Sequence, residues 1–147
     1  MSIVMLLVLA AGIYAQDPAT EKEKELIKKT IQTAYVEGLQ NEGDTVKINA
    51  GFHPGFEMLM LMKDGTLGKY TLAEWKSRIK KDLKEGNLPR KAEKKISVRF
   101  LFVDVTGSAA VAKFEFYVGD KLTFIDYQSL YKFGDQWKIV SKTYQKL

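Results

Sequence analysis

Apolar positions in the first half of the chain follow the three- and four-residue steps of amphipathic helices. They predict a first helix over residues 20–39, with an apolar stripe made of Ile27, Ile31, Ala34, Tyr35 and Leu39. Asp44 is a suitable N-cap residue for a short second helix, which carries Val46, Ile48 and Phe52. Pro54 then ends the helical region, because proline disfavours helical geometry at the residue before it.

A hairpin and a third helix follow. Residues 56–62 form an unbroken apolar run that predicts a buried strand, Asp64-Gly65 is a turn signal, and residues 67–70 form a return strand. Thr71 and Glu74 have the spacing of a capping box, in which each side chain binds a free backbone amide at the helix start. The third helix stops at Gly86, and one of its faces carries Leu72, Trp75, Ile79 and Leu83.

From residue 96 onward the apolar period changes to two, which is the period of β-strands. Four strands are predicted over residues 96–105, 110–118, 122–133 and 137–145. The apolar phase shifts after Phe102, which predicts a β-bulge or a strong bend. Helices with one apolar stripe must bury it against one face of such a sheet. The predicted fold class is therefore α+β, with three N-terminal helices on a curved, mainly antiparallel sheet that forms a cone around a cavity.

Residues 3–15 form an uncharged apolar run that ends in Ala15 and is followed by Gln16. A run of about 13 residues is too short for a membrane-spanning helix, which needs about 20. We interpret it as a secretory signal peptide cleaved after Ala15, with an uncleaved membrane anchor as the alternative. In both cases the folded part is exported, to the periplasm or beyond. The predicted organisation is a signal peptide over residues 1–15, a short segment over 16–22 and one folded domain over 23–147.

Charge and composition exclude several classes of function. The net charge is +5, but lysines alternate with acids in residues 21–29 and 80–95, a pattern typical of solvated helix faces. The chain has no cysteine and one histidine, so it offers no disulfide, no thiolate site and no recognisable set of metal ligands. We therefore expect no nucleic-acid partner, no metal, no cofactor, and no membrane association after signal cleavage.

Three short segments that occur in order along the chain carry a family resemblance. Phe52-His53-Pro54 follows the second helix, and Tyr70-Thr-Leu-Ala-Glu-Trp75 is a threonine-capped helix start that contains a tryptophan. Residues 124–144 contain an Asp-Tyr pair, a glycine turn, and a Trp-Lys-Ile-Val run followed by Lys-Thr-Tyr. Together these segments resemble the putative lumazine-binding family of the nuclear transport factor 2-like superfamily, over residues 23–145.

The resemblance implies a cystatin-like cone and leaves the activity open. The superfamily includes SnoaL-like polyketide cyclases, ketosteroid isomerases and dehydratases as well as non-catalytic binding and association domains, and a fold does not choose among them. The name of the family records a proposed ligand, and many members look like exported proteins without a defined reaction.

The last hairpin divides the candidate site residues between two faces. A two-residue turn at Gly134-Asp135 predicts three opposite pairs: Leu130 with Ile139, Gln128 with Ser141, and Asp126 with Thr143. These residues and Trp137 then share the face that lines the cone, with Asp126 either at the polar end of a pocket or at a solvated rim. The opposite face carries Tyr127, Ser129, Tyr131, Lys138, Val140, Lys142 and Tyr144.

His53 and Tyr35 are further candidates for chemistry beside Asp126. His53 titrates near neutral pH by default, and as a general acid or base it needs a partner such as Asp126 or Glu57. The alternative is a structural histidine that fixes the following turn. Tyr35 either aims its hydroxyl into the cone or belongs to the ordinary core, and Trp75 is either core or a pocket wall.

The leading hypothesis is an exported domain that binds a small apolar or aromatic molecule and has no defined reaction. Its predicted ligand contacts are Tyr35, His53, Trp75, Asp126, Gln128, Trp137 and Ser141. The alternative is an enzyme of the ketosteroid-isomerase, polyketide-cyclase or dehydratase kind, with His53 or Asp126 as general base and Tyr35 as a further catalytic candidate. The predicted assembly is a homodimer through the tyrosine-rich outer face of the sheet.

Overall fold

A computed structural model describes residues 17–147. The predicted signal peptide, residues 1–15, and Gln16 lie outside the described residues. Within the described part, helices cover one face of a six-stranded sheet, which confirms the predicted α+β class. None of the described helices is both long enough and apolar enough to cross a membrane.

The first predicted helix is one continuous helical segment with two kinds of hydrogen bonding. Helix α1 spans Pro18–Thr30 and continues into a π-helix over Ile31–Glu42, whose turns are wider. The π-helix buries most of one side, including Tyr35, against the sheet. Its Gly38 permits a close approach of the next helix, because an added Cβ would lie 2.8 Å from the Cβ of Lys47.

Two further helices begin where their caps predict. Helix α2 spans Thr45–Gly51 and is capped by Asp44, whose carboxylate accepts a hydrogen bond from the amide of Val46 at 2.8 Å. It ends one residue earlier than expected, since Phe52 is the first residue of a strand. Helix α3 spans Leu72–Lys84 and starts with the predicted capping box. A single 3-10 turn at Ala92–Lys94 lies in the connection to the next strand.

Six strands form the sheet: β1 Phe52–Leu61, β2 Leu67–Thr71, β3 Ile96–Thr106, β4 Ala109–Val118, β5 Lys121–Phe133 and β6 Gln136–Lys146. Their spatial order is β2-β1-β6-β5-β4-β3. All neighbours pair antiparallel except β1 and β6, which run parallel. The β1–β2 hairpin therefore extends the long meander at the side of its last strand.

Bulges interrupt the ladders and bend the sheet around the helices. In β3, Phe100 pairs with Phe114 and Phe102 pairs with Lys113, so Leu101 is the extra residue of a bulge. This confirms the irregularity predicted near Phe102 and explains why that ring is 55% exposed. A second bulge, in β6, decides which side chains reach the interior of the cone.

Candidate functional site

The β5–β6 hairpin keeps its predicted register only near the turn. Leu130 lies opposite Ile139 as predicted, but the next pair is Ser129 with Ser141, which leaves Val140 as an extra, bulged residue. The predicted pairs of Gln128 with Ser141 and Asp126 with Thr143 are therefore wrong; the observed partners are Lys142 and Tyr144 respectively.

One bulged residue moves every later side chain of β6 to the other face, because strand side chains alternate with a period of two. Lys142 and Tyr144, which the sequence placed on the outer face, share the inner face with Gln128 and Asp126. Ser141 moves outward and lies in one row with Ser129 and Glu57. The interior of the cone thus gains a lysine and a tyrosine and loses a serine and a threonine.

Three polar side chains meet inside the cone, and we call them the inner trio: Tyr35, Asp126 and Lys142. The Tyr35 hydroxyl donates a hydrogen bond of 2.7 Å to Oδ2 of Asp126. The Lys142 ammonium lies 3.1 Å from the other carboxylate oxygen, Oδ1. Asp126 is 0% exposed and Lys142 is 5% exposed, so the pair is shielded from water. The ammonium also lies 4.5 Å from the ring centroid of Tyr144, within cation–π range.

Burial is the largest influence on the pKa values of the inner trio. It raises the pKa of the Asp126 carboxyl, although Lys142 and Tyr35 act in the opposite direction. Burial likewise lowers the pKa of the Lys142 ammonium against the attraction of Asp126. Burial first, and the carboxylate second, raise the pKa of the Tyr35 hydroxyl well above its usual range. The tyrosine is therefore a neutral hydrogen-bond donor, and the acid and the base depend on each other for their charges.

A cavity of about 260 Å³ adjoins the inner trio. Side chains from the π-helix, α3, the α3–β3 connection and five strands line it: Tyr35, Gln40, Met58, Trp75, Arg90, Ile96, Phe116, Val118, Phe124, Lys142 and Tyr144. Its walls are mostly aromatic and apolar, and Lys142 and Tyr35 supply polar groups on one side. Asp126 lies behind them and outside the lining. Its role in this geometry is to orient the tyrosine and to neutralise the lysine.

Three larger depressions lie elsewhere and lack buried ionisable groups. One, of about 380 Å³, lies between α1, the π-helix, α2 and the β5–β6 turn, and Trp137 lines it. A second, of about 860 Å³, lies between the π-helix and the start of β3. The third, of about 320 Å³, is lined by residues of β3, β4 and β5. We place the candidate site in the smaller cavity, because perturbed titratable groups in an apolar setting mark functional sites more often than open grooves do.

His53 lies far from the inner trio. Its ring stacks on Phe133 with 4.7 Å between centroids, and its Nδ1 accepts a hydrogen bond of 3.0 Å from the amide of Gly55. Phe133 and Asp126 are seven residues apart on β5, which corresponds to about 23 Å along an extended strand. His53 and Asp126 therefore do not reach a common ligand atom, and the contact with Gly55 fixes the local turn.

The other predicted ligand contacts are divided among several places. Trp75 lines the cavity and packs edge-on against Tyr35, with centroids 6.2 Å apart. Gln128 is fully buried on the inner face beside Lys142 but does not line the cavity. Trp137 lies at the other end of the cone, where its indole N–H donates to Glu23 at 2.7 Å. Of the seven predicted contacts, Tyr35 and Trp75 line the cavity directly.

Sequence reasoning missed four contacts of the cavity that carry a polar group: Gln40, Arg90, Lys142 and Tyr144. The signal for the last two was present in the adjacent apolar residues Ile139 and Val140, which interrupt the alternation of β6. A similar interruption predicted the bulge in β3. No local pattern marks Gln40 or Arg90, because the π-helix and a connecting segment bring them to the cavity.

The described residues contain no group of three or more histidine, cysteine or acidic side chains that could hold a metal ion. Lys142 offers a hydrogen-bond donor, and the Tyr35 hydroxyl, whose proton is donated to Asp126, offers an oxygen acceptor. Arg90 offers a guanidinium, and aromatic rings offer stacking surfaces.

The helices pack into a bent six-stranded sheet, and a group of polar side chains lies at the closed side of an aromatic cavity. This arrangement is that of a nuclear transport factor 2-like domain. The sequence profile of the family described as putative lumazine-binding matches residues 22–145. The chain belongs to this family, which confirms the resemblance carried by the three segments. None of the curated proteins matches the chain.

Solved structures support the same fold. A nuclear transport factor 2-like protein of unknown function from Silicibacter pomeroyi superposes with a TM-score of 0.68 at 19% identity, over 87% of this chain and 98% of that one. A second such protein, from Shewanella baltica, gives a TM-score of 0.66 at 19% identity, over 86% and 95% of the respective chains. At this identity the similarity shows the fold alone.

Proposed function

We propose that this protein binds a small, largely aromatic or apolar molecule in the cavity beside the inner trio. The observation that carries the proposal is an aromatic cavity of about 260 Å³ with the polar groups of Tyr35 and Lys142 on one side. Ligand sites combine apolar walls with a few directed polar groups in this way. The volume lies just below the range of about 300–1,000 Å³ that suits drug-sized ligands, so the ligand has one or two rings.

Thermal unfolding in the presence of compounds of graded size tests the proposal. One- and two-ring aromatic compounds should raise the melting temperature, because a ligand at 100 times its Kd stabilises the folded state by about 2.7 kcal/mol. Steroid-sized and long-chain lipidic compounds should have no effect, since they exceed the cavity. The proposal fails if no compound of any size stabilises the protein.

A pair of matched substitutions on β4 localises the binding. Val118 lines the cavity, whereas Val111 lies on the outer face in one row with Ser129. Val118→Phe should fill part of the cavity and abolish the ligand-induced shift. Val111→Phe adds the same ring on the other face of the same strand and should leave the shift unchanged. Equal shifts in both variants would place the ligand elsewhere.

The enzyme alternative has one observation in its favour. Asp126 is a buried carboxyl with a raised pKa and a tyrosine hydrogen bond, as a general base would be. Against it, the carboxylate lies behind Tyr35 and Lys142 and does not line the cavity. Solvent-deuterium exchange at the carbon next to the carbonyl of a bound ketone tests this alternative. Exchange that is lost in Asp126→Asn would favour catalysis, and a ligand that binds without exchange would favour binding alone.

We also propose that the protein is exported. The apolar run of residues 3–15 and the small residue Ala15 support cleavage after position 15. Expression in a bacterium, followed by fractionation and N-terminal sequencing, should yield a periplasmic or secreted protein that begins at Gln16. Retention in the membrane with an intact N-terminus would support the uncleaved anchor instead.

A homodimer through the outer face of the sheet is a third proposal. Three exposed rings on that face, Phe102, Tyr127 and Tyr131, support it, since exposed apolar patches often mark protein interfaces. Tyr144, which the sequence had assigned to this patch, lies on the inner face instead. Sedimentation should show a dimer that Tyr127→Asp dissociates, and a monomer at high concentration would refute the proposal.

A further inference from the structure

We propose that the ligand of the cavity is an aromatic carboxylate of one or two rings, and that Arg90 binds its carboxylate group. The inference deepens the proposed function and rests on it. It starts from the charges of the cavity lining. Two of the lining side chains carry a formal charge, Arg90 and Lys142, and both are basic. No acidic side chain lines this cavity among the described residues.

The two bases differ in how far the protein already neutralises them. Lys142 is paired with the Asp126 carboxylate at 3.1 Å, and its ammonium lies against the ring of Tyr144. Its positive charge is thus compensated within the protein. No ion pair involves Arg90 in the described part of the chain, so the net formal charge around the cavity is that of one guanidinium.

Arg90 is held in position by the backbone of the π-helix. Its Nε donates a hydrogen bond of 2.7 Å to the carbonyl of Gln40, and its amide donates one of 2.7 Å to the carbonyl of Asn41. These contacts leave the two terminal guanidinium nitrogens for other partners. Two parallel N–H donors in a fixed plane match the two oxygens of a carboxylate.

The position of Arg90 determines the orientation of the ligand. Arg90 lines the cavity, the depression between the π-helix and the start of β3, and an adjacent depression between the π-helix and α3. It therefore lies at the opening of the cavity and not at its closed side. The aromatic walls formed by Trp75, Phe116, Phe124 and Tyr144 lie further inside. A ring that stacks on these walls therefore points its carboxylate outward to Arg90. Polar atoms at the opposite end of the ring system lie near the polar groups of Tyr35 and Lys142.

Calorimetric titration with 2-naphthoate and with its uncharged analogue 2-naphthamide tests this inference. The two probes share one ring system and differ in charge. We expect naphthoate to bind at least about tenfold more tightly, since charge-assisted bidentate hydrogen bonds are the stronger kind. Equal binding of the two probes overturns the carboxylate inference and leaves the proposed function intact. Failure of both probes, and of every other small aromatic compound, overturns both.

Substitutions of arginine identify the recognising residue. Arg90→Gln should remove the preference for naphthoate without weakening naphthamide. Arg90→Lys, which keeps the charge but not the fork, should retain part of the preference and guards against a folding defect in the first variant. Arg78→Gln is the matched control, because Arg78 lies in the adjacent depression, is paired with Asp82 and does not line the cavity. A preference that survives in Arg90→Gln overturns the assignment to Arg90.

Discussion

The two faces of the sheet carry two clusters of the same composition, each with an acid, a base and a tyrosine. The inner trio consists of Asp126, Lys142 and Tyr35, and the outer trio consists of Glu115, Arg99 and Tyr117. Their contacts are alike. The tyrosine hydroxyl donates to the acid at 2.7 Å inside and at 2.6 Å outside. The base lies 3.1 Å from the acid inside and 2.6 Å outside.

The two acids nevertheless shift in opposite directions. Burial raises the pKa of Asp126, whereas hydrogen bonds from Arg99 and Tyr117 lower the pKa of Glu115 to about 2. The two trios differ in how far the basic partner of each acid is exposed to water. The side chain of Lys142 is 6% exposed, while that of Arg99 is 67% exposed. Similar sets of partners thus have unequal consequences, because removing water from both charges offsets the gain from pairing them.

The largest expected effect is that of Asp126→Asn. The substitution keeps an acceptor for Tyr35 but leaves Lys142 as an unpaired charge in the interior. This should lower the free energy of unfolding by about 3–5 kcal/mol. Urea unfolding at neutral pH measures the loss. The double variant Asp126→Asn with Lys142→Met should recover much of it, because no buried charge remains. A nearly neutral Asp126→Asn would mean that the inner pair is not ionised.

Tyr35→Phe is expected to have the second largest effect. It removes a buried hydrogen bond to a charged acceptor while it keeps the ring, which costs about 1.5–3 kcal/mol. Tyr117→Phe removes the equivalent hydrogen bond of the outer trio and is the matched control. Its effect on the urea midpoint should be clearly smaller, because the solvated guanidinium of Arg99 still donates to the same carboxylate oxygen. Equal losses would show that solvation does not distinguish the two trios.

As the pH falls, Glu115 and Asp126 should change the stability of the folded state in opposite directions. The folded state lowers the pKa of Glu115 from 4.5 to about 2, so its contribution is present above pH 4.5 and is lost as the pH falls towards 2. The folded state raises the pKa of Asp126, so its contribution grows as the pH falls towards the ordinary value of 3.8. Urea midpoints across the acid range should fall less steeply in Glu115→Gln and more steeply in Asp126→Asn. The same slope in both variants would contradict the comparison.

The smallest expected effect concerns the outer ion pair itself. A double-mutant cycle of Arg99→Gln and Glu115→Gln should give a coupling free energy well below that between Asp126 and Lys142, since the Arg99 guanidinium is solvated. The coupling should weaken further at ionic strength near 1 M, where the Debye length is about 3 Å. A coupling as large as that of Asp126 with Lys142, and insensitive to salt, would remove the distinction between the faces.

Local signals predicted most of the elements. The Thr71 capping box, the Asp44 cap and the change of period at residue 96 each depend on neighbours in sequence, and the structure contains all three. Helical spacing placed Tyr35 on the apolar stripe, and alternation placed Asp126 on the same face as Leu130 but left open whether it lies in a pocket or at a solvated rim. Pairing across the last hairpin failed beyond Leu130, because the register there depends on a single extra residue, Val140.

The sequence by itself determined the α+β class, the family and the order of the elements, because these depend on short-range periodicity and on motifs. Only the tertiary structure decided that Lys142 completes the inner trio, since one bulge reverses the faces of all residues after it. It also decided that His53 lies far from Asp126 and that Arg90 reaches the opening of the cavity. These placements follow from how the helices and the α3–β3 connection pack onto the bent sheet, and no periodicity in the chain encodes them.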